Sequence, residues 1–134
     1  MHRIRLNARW DAVLGGDADA VSITALPCPI DSHGVRLRRR FNGPTGLNAS
    51  DRLRLLCQGD PPDQSTLNGV AMVWHRLSDD EHAVVITDRI ERHNVLELDY
   101  VPVRTNDANR KGSVIQRGLH SVELVIDNID QSSA

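Results

Sequence analysis

The residue types that do chemistry are present in this chain, but their spacing assembles few sites. Six histidines (His2, His33, His75, His82, His93 and His120) show no His-x-x-x-His pair, and no cysteine pair accompanies them, so the usual zinc arrangements are missing. No Gly-x-Ser-x-Gly places a serine on a sharp strand-to-helix turn. Glycoside hydrolysis needs two carboxylates across a cleft. The chain has 18 acidic residues, but nothing in their order singles out a pair. No catalytic residue is assigned and the chain is expected to be non-catalytic. Binding chemistry is better represented. Trp74 offers a ring face, with His75 and Arg76 beside it as polar partners. Its bland alternative is a tryptophan packed between sheets. A second group, Asn42 and Asn48 with Thr45 and Asp51, offers amide and carboxylate oxygens, or simply the turn chemistry natural to those residues.

The elements that must position these residues are strands. Asn68-Gly69 between apolar runs predicts a two-residue type I′ hairpin, because both central positions need positive φ. Ala83 to Ile86 reads as a short buried strand. Thr87 is then placed to cap one turn of helix, with Asp88 at its positive end and Asn94 closing it in a left-handed conformation. From Val95 alternation resumes, with Leu96, Leu98 and Tyr100 on one face and Val95, Glu97, Asp99 and Val101 on the other. Upstream, Ile4, Leu6, Ala8 and Trp10 alternate with polar residues as one strand. Val21 to Leu26 forms the next, ended by Pro27 and Pro29. Val35, Leu37, Arg39 and Phe41 share a face, with Arg36, Arg38 and Arg40 opposite. Arg39 therefore needs a buried partner, a carboxylate such as Asp88 or Glu97 or several carbonyls, unless a bulge lets it reach water. Arg52 to Gln58 turns Leu53, Leu55 and Cys57 inward, and Leu119 to Ile126 is the last strand. Asn42 to Gly46, Gly59 to Asp63, Ser78 to Glu81 and Thr105 to Gly112 are loops. About eight short strands at this spacing predict an all-β, two-sheet sandwich, one domain over residues 1–127 with a tail over 128–134.

In order, Arg39-Arg40-Phe41, Leu53-Arg54-Leu55, Leu67-Asn68-Gly69, Ile86-Thr87 and Asn94-Val95-Leu96-Glu97-Leu98, closed by Gly118-Leu119 and Val122-Glu123-Leu124, resemble a known series. It is that of the galactose-binding-like β-sandwich, and most of all the sugar-binding jelly-roll domain beside the catalytic barrel of family 2 glycoside hydrolases. The likeness spans roughly residues 35 to 126. It departs where the family has an acidic residue before Ile-Thr and this chain has Val85. The resemblance implies a jelly-roll fold and a carbohydrate-binding-like module, with the catalytic acids in another domain. It also implies room for a structural calcium, for which Asp17, Asp19 and Asp127 would supply oxygens. The alternative is a structural or interaction domain, dimerising or docking on a protein partner through a sheet face or edge strand, with the arginine ladder meeting an acidic partner.

Composition narrows the classes further. At 134 residues the chain can bury a self-sufficient core. A net charge of −2 recruits neither nucleic acid nor anionic membrane. Fifteen arginines against one lysine, and fourteen aspartates against four glutamates, leave few of the surface residues that favour helices. Met1-His2-Arg3 leads into alternating residues rather than an apolar signal segment, and no run is long enough to cross a membrane. The expectation is a cytoplasmic protein, with Cys28 and Cys57 reduced as small buried hydrophobes.

Overall fold

The computed structural model describes residues 2–14, 21–30, 33–102 and 117–128, and for Leu14 and Asn128 the backbone alone. Thr105 to Gly112, Gly15 to Asp19 and residues 129–134 lie outside that range. Among the described residues all regular structure is strand: β1 (His2–Arg5), β2 (Trp10–Leu14), β3 (Val21–Thr24), β4 (Cys28–Ile30), β5 (Val35–Asn42), β6 (Asp51–Gly59), β7 (Gln64–Leu67), β8 (Val70–Ala71), β9 (His75–Arg76), β10 (Glu81–Val85), β11 (His93–Tyr100) and β12 (Arg117–Asn128). They form two antiparallel sheets. One runs β1-β12-β6-β10-β9, with β4 also on β12; the other runs β3-β2-β5-β11-β7-β8. Twelve segments stand where about eight were expected, because several predicted strands break and two-residue strands flank the turns.

Period-two alternation builds the core between the sheets. From the second sheet come Val35, Leu37 and Phe41 of β5 and Asn94, Leu96, Leu98 and Tyr100 of β11, all buried. From the first come Leu53, Leu55 and Cys57 of β6 and Leu119, Val122 and Leu124 of β12. Leu119 and Val122 differ in parity yet both face inward, because the pairing of β12 with β6 shifts by one residue between Leu119 and Ser121. A second, smaller apolar cluster of Leu56, Ala83 and Val125 sits apart from this core. Of Ala83 to Ile86, Val84 and Ile86 enter the core and Ala83 the smaller cluster, but Val85 is exposed.

The N-terminal segment is two strands instead of one. β1 pairs with β12 in the first sheet, while β2 pairs with β3 and β5 in the second. The chain crosses between them over Leu6 to Arg9, and Arg9 takes a left-handed φ of 63°. Leu6 and Trp10 keep the expected inward parity, but Ala8, within the crossover, is exposed; Trp10 is fully buried and donates from Nε1 to the Leu6 carbonyl at 2.6 Å. This crossover resolves Arg39. Its Nε donates to the Ala8 carbonyl at 2.8 Å and Nη1 to the Arg40 carbonyl at 3.0 Å. Carbonyls, not Asp88 or Glu97, hold it. Asp88 is exposed, and Glu97 lies across from Arg38. Burial, and after it the charge of Arg9, lower the Arg39 pKa.

The second predicted strand stops at Thr24, and Pro29 sits within β4, which among the described residues pairs with β12 alone. Proline is tolerated there because an edge strand has one side unpaired.

The Asn68-Gly69 hairpin forms as expected, with φ of 53° and 81° and Leu67 opposite Val70. The single turn after β10 also forms, with Ile90 N–H donating to the Ile86 carbonyl at 3.1 Å. Thr87 does not cap it; its Oγ1 accepts from the Leu53 N–H at 3.0 Å, tying the turn to β6. Nor does Asn94 end it in a left-handed conformation. Asn94 is the second residue of β11, 1% exposed. Its Oδ1 accepts from the Glu91 N–H at 2.8 Å and from Asn68 Nδ2 at 3.0 Å. Its Nδ2 donates to the carbonyls of Glu91 at 2.8 Å and Phe41 at 3.4 Å. Removing it strands several buried backbone groups at once. Asn94→Ala is expected to lower unfolding free energy by about 2–3 kcal/mol, measured by urea denaturation; a loss under about 0.5 kcal/mol would show the network to be dispensable.

Cys57 gives a second expectation. Burial, and then the charge of Asp60, push its thiol from 9.0 up to about 12. Below pH 9 both folded and unfolded chains keep the proton, and the thiol costs nothing. From pH 9 to about 12 only the unfolded chain ionises, so stability falls as pH rises. The slope contributed is at most about 1.4 kcal/mol per pH unit. Denaturation between pH 8 and 11 should show this decline, and Cys57→Ala should flatten part of it. A wild type and variant with the same pH slope would mean that the thiol is not held neutral.

Candidate functional site

The two sequence-derived groups lie at opposite ends of β11. Asn42 pairs with His93 at its start, and Gln64, beside the cavity of Trp74, pairs with Asp99 near its finish. Six residues of strand separate those levels, roughly 20 Å at about 3.3 Å per residue.

At the first end the polar groups serve the loop. The Asn48 N–H donates to Asp51 Oδ2 at 2.7 Å, and the Asp51 N–H returns to the Asn48 carbonyl at 3.0 Å. Asn42 Oδ1 lies 3.2 Å from His93 Nδ1. Thr45 is exposed beside them. The segment is built as a side-chain-closed turn.

At the other end Trp74 borders a cavity of about 410 Å³, within the range of small-molecule sites. After the hairpin the chain returns along β7, where the Met72 N–H donates to the Ser65 carbonyl at 3.1 Å. That places Trp74 against β7, and its Nε1 donates to Ser65 Oγ at 2.8 Å. With its only polar atom satisfied and its position fixed, the half-buried indole presents ring surface to the cavity. Met72 is buried beneath, and Pro61 and Pro62 of the β6–β7 loop form a rigid wall.

The polar lining comes from five residues, Ser65 among them, and most of it is already engaged. Arg76 makes an ion pair with Asp79 and donates from Nε to the Ser78 carbonyl at 3.2 Å. Asp63 Oδ2 accepts from the Val101 N–H at 2.8 Å and from Arg117 Nη1 at 3.1 Å. Arg117 in turn lies over the Tyr100 ring, 5.9 Å from its centroid. Gln64 is exposed at the rim. His82 is different. Its Nδ1 is buried and has no hydrogen-bond partner among the described residues.

Of the expected site residues, the cavity brings together Trp74 and Arg76. His75 is exposed on β9, across from Ala83. Asn42 and Asn48 are remote. Sequence reading missed Asp63, Gln64 and His82. His82 carried a usable signal, since it has the parity of inward-facing Val84. Asp63 carried none, because Arg117 is 54 residues away in sequence.

The calcium candidates divide similarly. Asp17 and Asp19 lie outside the described residues. Asp127 Oδ2 is occupied by Arg54 Nη2 at 2.9 Å. Among the described residues no group of three or more His, Cys, Asp and Glu side chains is placed to hold a metal. Among them, too, no helix is long and apolar enough to cross a membrane.

No protein-family model and no curated protein matches the chain. Solved structures do. An FMN-binding β-glucuronidase from Facaelibacterium prausnitzii L2-6 superposes with a TM-score of 0.72 at 18% identity, over 93% of this chain and 22% of that one. A glycosyl hydrolase family 2 member from Bacteroides cellulosilyticus DSM 14838 gives 0.71 at 13% identity, over 96% and 21%. A Bifidobacterium dentium β-glucuronidase complexed with coumarin-3-O-glucuronide gives 0.65 at 19% identity, over 94% and 30%. The chain thus spans between a fifth and a third of the length of these glycosidases, and nearly all of it is matched. It has the fold of a domain-sized, two-sheet β-sandwich within family 2 glycosyl hydrolase chains, the architecture that its ordered motifs resemble.

Proposed function

We propose that this chain is a non-catalytic carbohydrate-binding module whose site is the cavity beside Trp74. The observation that carries the reading is the placement of Trp74. The chain has four aromatic residues, and Trp10, Phe41 and Tyr100 are all buried in the core. Trp74 alone among them is only half-buried; it packs partly against the core and borders a concave site with polar groups around it. A pyranose needs that combination, a flat apolar face for its C–H groups and hydrogen-bonding groups for its hydroxyls. The fold shared with glycosidase chains supports a sugar as the ligand, and the small share of those chains that is covered supports a module without their catalysis.

A panel of mono- and oligosaccharides followed by amide-resolved NMR tests this. Shifts are expected at residues 63–65 and 72–76. Trp74→Ala should weaken binding about tenfold or more, the equivalent of about 1.4 kcal/mol, while Trp74→Phe, which keeps a ring, should lose less. Undiminished affinity in a folded Trp74→Ala variant would remove Trp74 from the site.

A second reading has its own observation. β3 is the last strand of the second sheet and pairs only with β2 among the described residues. Its sequence, Val-Ser-Ile-Thr, has no charge, and Val21 and Ile23 are 57% and 78% exposed. An uncharged apolar edge suits antiparallel pairing with a second copy. Sedimentation velocity should then show a mass that rises with concentration, and Ile23→Lys should abolish the rise. A strict monomer at high concentration would sink this reading.

A further inference from the structure

We propose that Asn68-Gly69 is a self-modification site, a deamidation switch that its hydrogen bonds to Asn94 and Val95 hold closed in the folded chain. Asn-Gly is the dipeptide that cyclises most readily, because glycine has no side chain to shield its nitrogen. The chain has two, Asn42-Gly43 and Asn68-Gly69. The reaction needs both a free nitrogen and a free carboxamide. The glycine nitrogen gives its proton to solvent and attacks the asparagine Cγ. The N–Cγ bond forms, the Cγ–Nδ2 bond breaks, and Nδ2 takes a proton from water and leaves as ammonia. Water then opens the succinimide. Cleavage of the new N–Cγ bond gives aspartate. Cleavage between that nitrogen and the asparagine backbone carbonyl gives isoaspartate, with the chain running through Cγ. One water enters, one ammonia leaves, and nothing is oxidised or reduced.

The fold withholds a different reactant at each site. At Asn42 it is the nitrogen. The Asn42 side chain is exposed, but the Gly43 N–H donates to the Arg92 carbonyl at 2.9 Å, and a Cβ on Gly43 would collide with the Glu91 carbonyl oxygen. At Asn68 the nitrogen is open. Gly69 is exposed at the hairpin tip, outside the β7–β8 ladder, with nothing within 4 Å of the place where a Cβ would stand. The carboxamide is what is held. Asn68 Oδ1 accepts from the Val95 N–H at 2.9 Å, and Nδ2 donates to Asn94 Oδ1 at 3.0 Å and to the Arg89 carbonyl at 3.4 Å. Release of that side chain is the gate. Three neutral hydrogen bonds, at roughly fivefold each, keep it closed by roughly a hundred to one. Global unfolding of a domain is opposed by roughly several thousand to one or more, so the local route dominates.

The product does not fit the turn. Aspartate puts an oxygen where Nδ2 stood, against Asn94 Oδ1 and the Arg89 carbonyl. Asn94 cannot flip to offer a donor, because its Oδ1 also accepts from the Glu91 N–H and its Nδ2 donates to the Glu91 carbonyl. Isoaspartate adds a backbone carbon to a two-residue turn that sets Leu67 opposite Val70. Either product unpairs the hairpin, so the change runs one way.

The full chain, incubated at pH 8 and followed by peptide mass spectrometry, provides the test. In denaturing guanidinium chloride Asn42 and Asn68 should convert at similar rates. In buffer Asn68 should convert at least about tenfold more slowly. That rate should stay flat as denaturant is raised below the unfolding transition, because release of one side chain exposes little surface. Asn94→Ala, checked for a dispersed NMR spectrum, should speed native conversion of Asn68 at least about tenfold; if it does not fold, the denaturant series on wild type decides. Native conversion as fast as in denaturant overturns the inference. So does a native rate that climbs with the unfolded fraction or is fully explained by it, or a folded Asn94→Ala that converts like wild type. Asn68→Asp makes one product directly and should melt several degrees below wild type. An Asn68→Asp chain that melts at or above wild type would show that the turn accepts the product, and there would be no switch.

Discussion

The second sheet depends on one buried carboxamide. Asn94 sits where β5 ends, β11 begins and the Asn68-Gly69 hairpin turns, and its four contacts bind those three features together. Asn68 extends the arrangement, its Oδ1 accepting from the Val95 N–H at 2.9 Å while its own N–H donates to the Val95 carbonyl at 2.9 Å. The left-handed backbone at Asn68 is thus held by its side chain as well as by the turn. An uncharged amide is the right group for this place. It is both donor and acceptor, so it satisfies N–H and C=O groups without burying a charge. The pairing of β7 with β11 follows from that anchor. The position of Ser65 and the orientation of Trp74 follow from β7. The cavity is therefore set, at one remove, by an amide at the far end of the strand.

Much of the fold was legible because β5 and β11 are long, regular and buried on one side, where period two is a strict rule. The hairpin was legible because few dipeptides tolerate two positive φ values as Asn-Gly does. Parity failed where the chain leaves a sheet. Arg9 contributes one left-handed residue, which no alternation pattern encodes, and the strand expected over Ile4 to Trp10 splits between the two sheets. Arg39 is the consequence. Its inward parity and the option of carbonyl partners were read correctly, but the Ala8 carbonyl that the crossover exposes could not be named before the crossover was known. β3 shows the same limit. Its apolar residues look like core in sequence, but the strand is an edge, and Val21 and Ile23 face outward.

The site was legible to a smaller degree, for a reason of range. Trp74, His75 and Arg76 are consecutive and draw attention together, yet successive side chains of a strand face opposite ways. Trp74 and Arg76 line the cavity; His75 does not. The remaining lining comes chiefly from the β6–β7 loop, β7 and β10, which sequence cannot place beside Trp74 until sheet order is known. The Asn42 and Asn48 group shows the opposite error, since polar residues that suggest a ligand are consumed in closing their own turn.

Charge follows one pattern throughout. The arginine ladder of β5 looks like a positive face in sequence, but antiparallel pairing sets Asp99 across from Arg36 and Glu97 across from Arg38, with Asp11 on Arg38's other side. Arg36 Nη2 stands 3.5 Å from Asp99 Oδ2. Exposed pairs of this kind add little stability, but they cancel the field that would draw an acidic partner to the ladder. The same pairing recurs at the cavity, where Arg76 meets Asp79 and Arg117 meets Asp63. Near-equal numbers of arginines and acids, distributed across neighbouring strands, leave the electrostatics of this sandwich locally balanced. What distinguishes one place on its surface from another is then aromatic lining, and the cavity bordered by Trp74 has it.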